Sequence, residues 1–103
     1  MDDSSELVTD GPRAQLLVRG SLGLSDAALL LGHARLALAG KQDVAVELSQ
    51  AAHLHAGCVQ VLLALERSLV QCGRRFGVER PSAYTTELLK LAGLARWLEE
   101  ATQ

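Results

Sequence analysis

His53, His55 and Cys58 are the one close grouping of imidazole and thiol in the chain. In extended backbone, residues two apart aim the same way, so both rings would face one side with the thiol following within a turn. Such a triplet suits a soft divalent metal, but a structural zinc site usually takes four ligands. The other imidazole and thiol, His33 and Cys72, belong to elements expected elsewhere. The favoured reading is therefore two polar turn residues on an exposed rim, with no metal. Cys58 also invites a nucleophile reading, since a helix N-terminus and a neighbouring imidazolium both stabilise thiolate. Against this, it heads the series Cys58, Leu62, Leu65, Leu69, Cys72, whose helical spacing describes a buried apolar stripe and makes the thiol a small hydrophobe. Cys58 and Cys72 lie fourteen residues apart on that expected helix, about 21 Å at the standard rise and beyond disulfide reach.

The elements that position this grouping can be read on either side of it. Val44–Leu48 is a buried strand, the polar stretch from His53 to Gly57 a tight turn, and the following helix starts near Gly57 or Cys58 and ends near Cys72-Gly73. Upstream, an edge strand or frayed end is expected around Leu7-Val8-Thr9, with 1–12 flexible or edge, closed by Asp10-Gly11. A strand over Ala14–Arg19 follows. The next helix should run from Asp26 to Ala39, with Ser25 as N-cap, Gly40 at C′ and Ala27, Leu31, Ala34 and Leu38 as its core stripe. Downstream come a short strand from Arg74 to Val78 and a helix opened by Pro81-Ser82, with Tyr84, Leu88 and Leu91 on one face and Gly93 at its end. Leu94–Leu98 can add a turn that docks Trp97. Strands alternating with helices across short links predict parallel pairing through right-handed crossovers.

Composition limits the possible functions. The chain of 103 residues is expected to form one domain, 1–103, around a single core. Its 49% hydrophobic content includes only 3% aromatic residues, so stacking platforms for bases or sugars are nearly absent. A formal charge of -2 without a long run of either sign offers no footprint for phosphate backbones or anionic lipid; nucleic acid is not an expected partner, nor is membrane insertion. Gly32, His33 and Arg35 interrupt the longest apolar stretch. The acidic start Met1-Asp2-Asp3-Ser4-Ser5-Glu6 is unlike a signal peptide, making a reducing cytoplasm the expected location. The glycines form no phosphate-cradling pattern, and Arg74, Arg75 and Arg80 read as a solvated face. No acid, base and nucleophile converge in the pattern, so the chain is not expected to be an enzyme, and no cofactor is implied.

The run Val46-Glu47-Leu48-Ser49, the turn after it, and the helix containing Val59-Gln60-Val61-Leu62-Leu63-Ala64-Leu65 resemble the STAS domain of bacterial anti-sigma-factor antagonists, whose corresponding segment runs roughly LDLSxVxxIDSSGLxxLL. Gly20-Ser21-Leu22-Gly23-Leu24 is similar to the family's GxLDL, and Glu87–Leu94 to its xxLLxLTGL ending. The resemblance covers nearly the whole chain from Leu16. It implies an α/β fold, a STAS-like small mixed sheet of four to five strands with three to four helices packed on it. It further implies a protein-binding domain in transcription regulation or chemosensory signalling. The expected partner is an anti-sigma factor with a kinase-type ATPase fold, or a chemosensory component. The alternative is a subunit docked on the ATPase of an ABC-type phospholipid transporter. The partner-binding residues implied are Gly20, Ser21, Leu22, His53, His55, Ala56, Gly57 and Cys58. Where the family carries a phosphorylatable hydroxyl, this chain has Ala56 and Gly57, so binding is expected to be independent of phosphorylation.

Overall fold

The computed structural model describes residues 4–99. Four strands, β1 (Ser5–Asp10), β2 (Arg13–Leu22), β3 (Asp43–Leu54) and β4 (Phe76–Glu79), form a mixed sheet in the order β1-β2-β3-β4. The β1–β2 pair is an antiparallel hairpin turned at Gly11, whose φ of 70° favours glycine. Helix α1 (Asp26–Ala39) carries β2 into its parallel neighbour β3, and α2 (Ala56–Gln71) carries β3 into β4, also parallel. Helix α3 (Ala83–Leu91) and the single turn α4 (Arg96–Glu99) complete the order. The expected mixed α/β sheet of four to five strands has four among the described residues, and Leu7-Val8-Thr9 lie in β1 at its edge; of the stretch 1–12, residues 1–3 lie outside the described region.

Alternation divides each strand between two faces. Ala14, Leu16 and Val18 of β2, Val44, Val46 and Leu48 of β3, and Val78 of β4 enter one core with Leu30 and Ala34 of α1, the stripe Cys58, Leu62, Leu65 and Leu69 of α2, Leu89 of α3, and Trp97. The polar side chains at alternate positions of β2, β3 and β4 interact across the other face of the sheet. Gln15 Nε2 donates to Glu79 Oε1 at 2.9 Å, Arg13 pairs with Glu79 at 2.6 Å, and Arg80 pairs with Glu47.

Several local expectations fail for identifiable reasons. β3 extends through Leu54 instead of stopping at Leu48, so His53 is a strand residue. The pairing with β2 shifts register between Leu17 and Arg19 and again between Gly20 and Ser21, placing extra residues on β3 as bulges. The buried positions Leu48, Ala51 and Leu54 consequently fall every third residue, which hides the strand from a search for period two.

In α1 the core residues are Leu30, Ala34 and Ala37, while Ala27, Leu31 and Leu38 are only half-buried. This helix is apolar nearly all round, so spacing alone does not choose its inner face. Ser25 makes no side-chain cap; Asp26 folds back to accept from the Gly23 N–H at 2.8 Å. Gly40 is extended, with φ −75° and ψ −175°, and supplies no left-handed C′ turn. Arg74 does that work instead. It lies outside β4, which starts at Phe76, and its guanidinium donates to the carbonyls of Ala37 (2.9 Å), Leu38 (3.0 Å) and Gln42 (2.6 and 2.8 Å). The carbonyls left over at the helix end are thereby satisfied, and Arg74 is a structural clamp, not part of a solvated face.

Cys72 is exposed because α2 ends at Gln71 and the chain turns away at Gly73, φ 72°. In α3 the inner residues are Thr85 and Leu89, with Tyr84 and Leu88 at their flank, whereas Leu91 is 85% exposed. Ser82 is the α3 N-cap, accepting from the Thr85 N–H at 3.1 Å.

Candidate functional site

The ends of β2 and β3 and the start of α2 meet on one rim. The ladder sets Gly20 against Ala51, Ser21 against His53 and Leu22 against Leu54, and the His55 N–H then donates to the Leu22 carbonyl at 2.9 Å. Gly20, at φ 78°, adopts a conformation that side chains disfavour. Of the residues singled out from sequence, Gly20, Ser21, His53, His55 and Ala56 are exposed and Gly57 is half-buried. Leu22 and Cys58 are both 0% exposed and belong to the core beneath the rim.

His55 is the N-cap of α2, at φ −61° and ψ 148°, and its Nδ1 accepts from the Gly57 N–H at 2.9 Å. Its carbonyl accepts from the Cys58 N–H at 2.8 Å and the Val59 N–H at 3.3 Å. The first turn therefore opens on an imidazole, with no acidic residue within it. A Cβ placed on Gly57 would lie 3.3 Å from His55 Nδ1 and 3.7 Å from both Ala27 Cβ and Leu24 Cδ1. The glycine is thus packed against α1 and the preceding link, and its backbone is ordinary helix.

His53 looks the other way, toward α3. Its ring centroid lies 5.8 Å from that of Tyr84, whose hydroxyl accepts from the Leu54 N–H at 3.2 Å and stands 3.4 Å from His53 Nδ1. A groove continues from these rings between α2 and α3, lined chiefly by Ala56, Val59, Leu63 and Leu88. The two imidazoles thus serve separate neighbours, and among the described residues no three His, Cys, Asp or Glu side chains are placed to hold a metal ion. Burial, followed by the nearby Asp26 charge, pushes the Cys58 thiol up from its ordinary value, and its Sγ lies 3.8 Å from the Gly23 carbonyl. That is an inert core thiol.

Leu24, the last residue of the Gly20–Leu24 stretch, is 69% exposed and stands beside Gly57. Sequence reasoning missed the roles of two further contributors to this region. Asp26 closes the link into α1, and its position next to Ser25 concealed which of the two caps. Tyr84 reaches the end of β3 from a helix thirty residues downstream, a contact that no local pattern encodes.

The STAS profile described as "Mlab, STAS domain" matches residues 5–100. Among solved structures, the anti-sigma factor antagonist SpoIIAA in its unphosphorylated form superposes with a TM-score of 0.80 at 16% identity, over 90% of this chain and 84% of that one. The Bacillus cell fate determinant SpoIIAA in its phosphorylated form gives 0.74 at 14% identity, over 90% and 86%. No curated protein matches the chain. No described helix is long and apolar enough to cross a membrane. With a family match over nearly its whole length and the same mixed sheet as SpoIIAA, the chain belongs to the STAS domain family.

Proposed function

We propose that this chain is a non-enzymatic regulatory domain of the antagonist type that binds another protein through the rim of Gly20, Ser21, His53, His55, Ala56 and Gly57, without a phosphorylation switch there. The observation that carries the reading is the start of α2. Ala56 is exposed and Gly57 half-exposed where the helix presents its first turn, and neither has a hydroxyl. A phosphate on such a turn would add roughly two negative charges and three acceptors; with no hydroxyl at Ala56 or Gly57, binding does not switch at this turn. The partner proposed is an anti-sigma factor with a kinase-type ATPase fold or a chemosensory component, in the cytoplasm.

The same missing hydroxyl favours a second reading, permanent docking on the ATPase of an ABC-type phospholipid transporter. Capture from the native host with tagged full-length chain, followed by mass spectrometry, separates the two by the partner recovered. Gly57→Asp, which adds bulk and charge beside His55, should lose that partner, while Gln71→Glu at the far end of α2 should retain it. Equal capture by both variants rejects the rim, and stoichiometric phosphate on a cell-derived peptide containing Ser49 rejects phosphorylation independence.

A further inference from the structure

We propose that the His55 cap makes the start of α2 sensitive to pH, so that mild acidification loosens the first turn of the helix. The consequence for partner binding rests on the rim reading above; the cap itself does not. The bond from the Gly57 N–H ends on His55 Nδ1, which must carry a lone pair and leave the ring proton on Nε2. A doubly protonated imidazole has two donors and no acceptor. Protonation thus sets one N–H against another, and it places a positive charge at the end of α2 where the helix dipole is already positive. His55 is exposed, so the proton arrives directly from solvent.

The surrounding groups do not replace the lost acceptor. Asp26, from α1, is engaged by the Ser4 hydroxyl and the Gly23 N–H. Cys58 is buried one residue beyond Gly57, and its thiol is held neutral. His53 of β3 and Tyr84 of α3 face each other. The cap of α3 supplies an internal contrast: Ser82 Oγ accepts from the Thr85 N–H, and a hydroxyl keeps that capacity throughout this pH range. The sign follows from the bond. The Gly57 N–H bond needs an unprotonated Nδ1, so acidification removes it and the stability it contributes falls with pH.

The test follows the Gly57 and Thr85 amide resonances of the full chain from pH 7.5 to 5.5, with thermal unfolding of the parent and of His55→Asn across the same range. Asparagine is a good N-cap that keeps an oxygen acceptor and does not titrate. The Gly57 amide should shift together with the His55 ring while Thr85 stays still. The parent should lose about 4 °C relative to His55→Asn between the two pH values, the scale of one lost cap in a domain of this size. His33 and His53 are present in both chains and cancel in the difference. A Gly57 amide indifferent to pH, or parallel melting curves for parent and variant, overturns the proposal. Neither measurement needs a partner, so its failure is separate from failure of the rim reading.

Discussion

The two ends of β3 are held in different ways. At its start, the Val44 N–H bonds the Arg75 carbonyl, Asp43 accepts from the Arg75 N–H, and the Arg74 guanidinium ties the end of α1 to the Gln42 carbonyl. At its far end β4 has stopped, since the β3–β4 ladder runs out at Glu47 and Glu79, and side chains take its place. Glu47 Oε1 accepts from the Ser49 N–H at 2.7 Å, Ser82 donates from its backbone to Leu48 and from its hydroxyl to Ala51, and Tyr84 accepts from Leu54. One end is anchored by a multidentate cation, the other by single, separable contacts. A partner meeting the second end encounters backbone that individual side chains hold in place.

Arg74→Ala should produce the largest effect, about 3 kcal/mol measured by urea unfolding, because several carbonyls lose a charged donor at once; Arg74→Lys, lacking the planar fork, should recover only part of it. A loss below about 1 kcal/mol would mean that water replaces the guanidinium and that the two ends are held alike. Ser82→Ala, at the rim end, should cost about 1 kcal/mol, the usual loss for one N-cap. If the two losses were equal, the asymmetry would be wrong.

Glu47→Gln sharpens the contrast through pH. Burial raises the Glu47 carboxyl, but its bonds to Ser49 and Arg80 and the Arg80 charge outweigh burial and hold it below its ordinary value. Its contribution is present above the ordinary carboxylate range and is lost as pH falls through the lowered value. The variant should therefore be less stable than the parent at pH 7, by less than about 1 kcal/mol because Arg80 is largely exposed, and the two should converge in acid. A gap that widens on acidification would contradict the assigned contacts. The smallest change is expected for Gly57→Ala. Helix propensity favours alanine by up to about 1 kcal/mol, while the tight approach to His55 Nδ1 opposes it, leaving a net shift within about 0.5 kcal/mol by thermal unfolding.

The same asymmetry governs what could be read from the residues. Where ladder and helix repeat regularly, Ala14–Arg19 and Val44–Leu48 were legible as strands and the α2 stripe from Cys58 to Leu69 as an inner face, because burial there follows helical period. Asp26–Ala39 was legible as a helix, but its buried side was not, since apolar residues surround it. The rim was legible as a place, because the break in apolar pattern after Leu48 marked it, and His55 and Ala56 lie there. Its wiring was not. The cap by His55, the reach of Tyr84 and the clamp by Arg74 join residues far apart in sequence or depend on a ring nitrogen's orientation, and neither is carried by composition or spacing.

Between Arg13 and Leu22 the chain lays down ten residues of β2, and opposite them β3 lays down twelve. If Ser49 and Ala52 are struck out, the remainder Leu48, Gln50, Ala51, His53, Leu54 alternates buried and exposed, and the last four pair one to one with Arg19 to Leu22. Both supernumerary positions are exposed and lie just ahead of the rim. Chain length is therefore an adjustable variable at this point. Residues can be gained or dropped there without reversing which side chains face inward on either side, so the reach of the His53–Gly57 segment can be retuned by insertion and deletion while the sheet beneath keeps its partners.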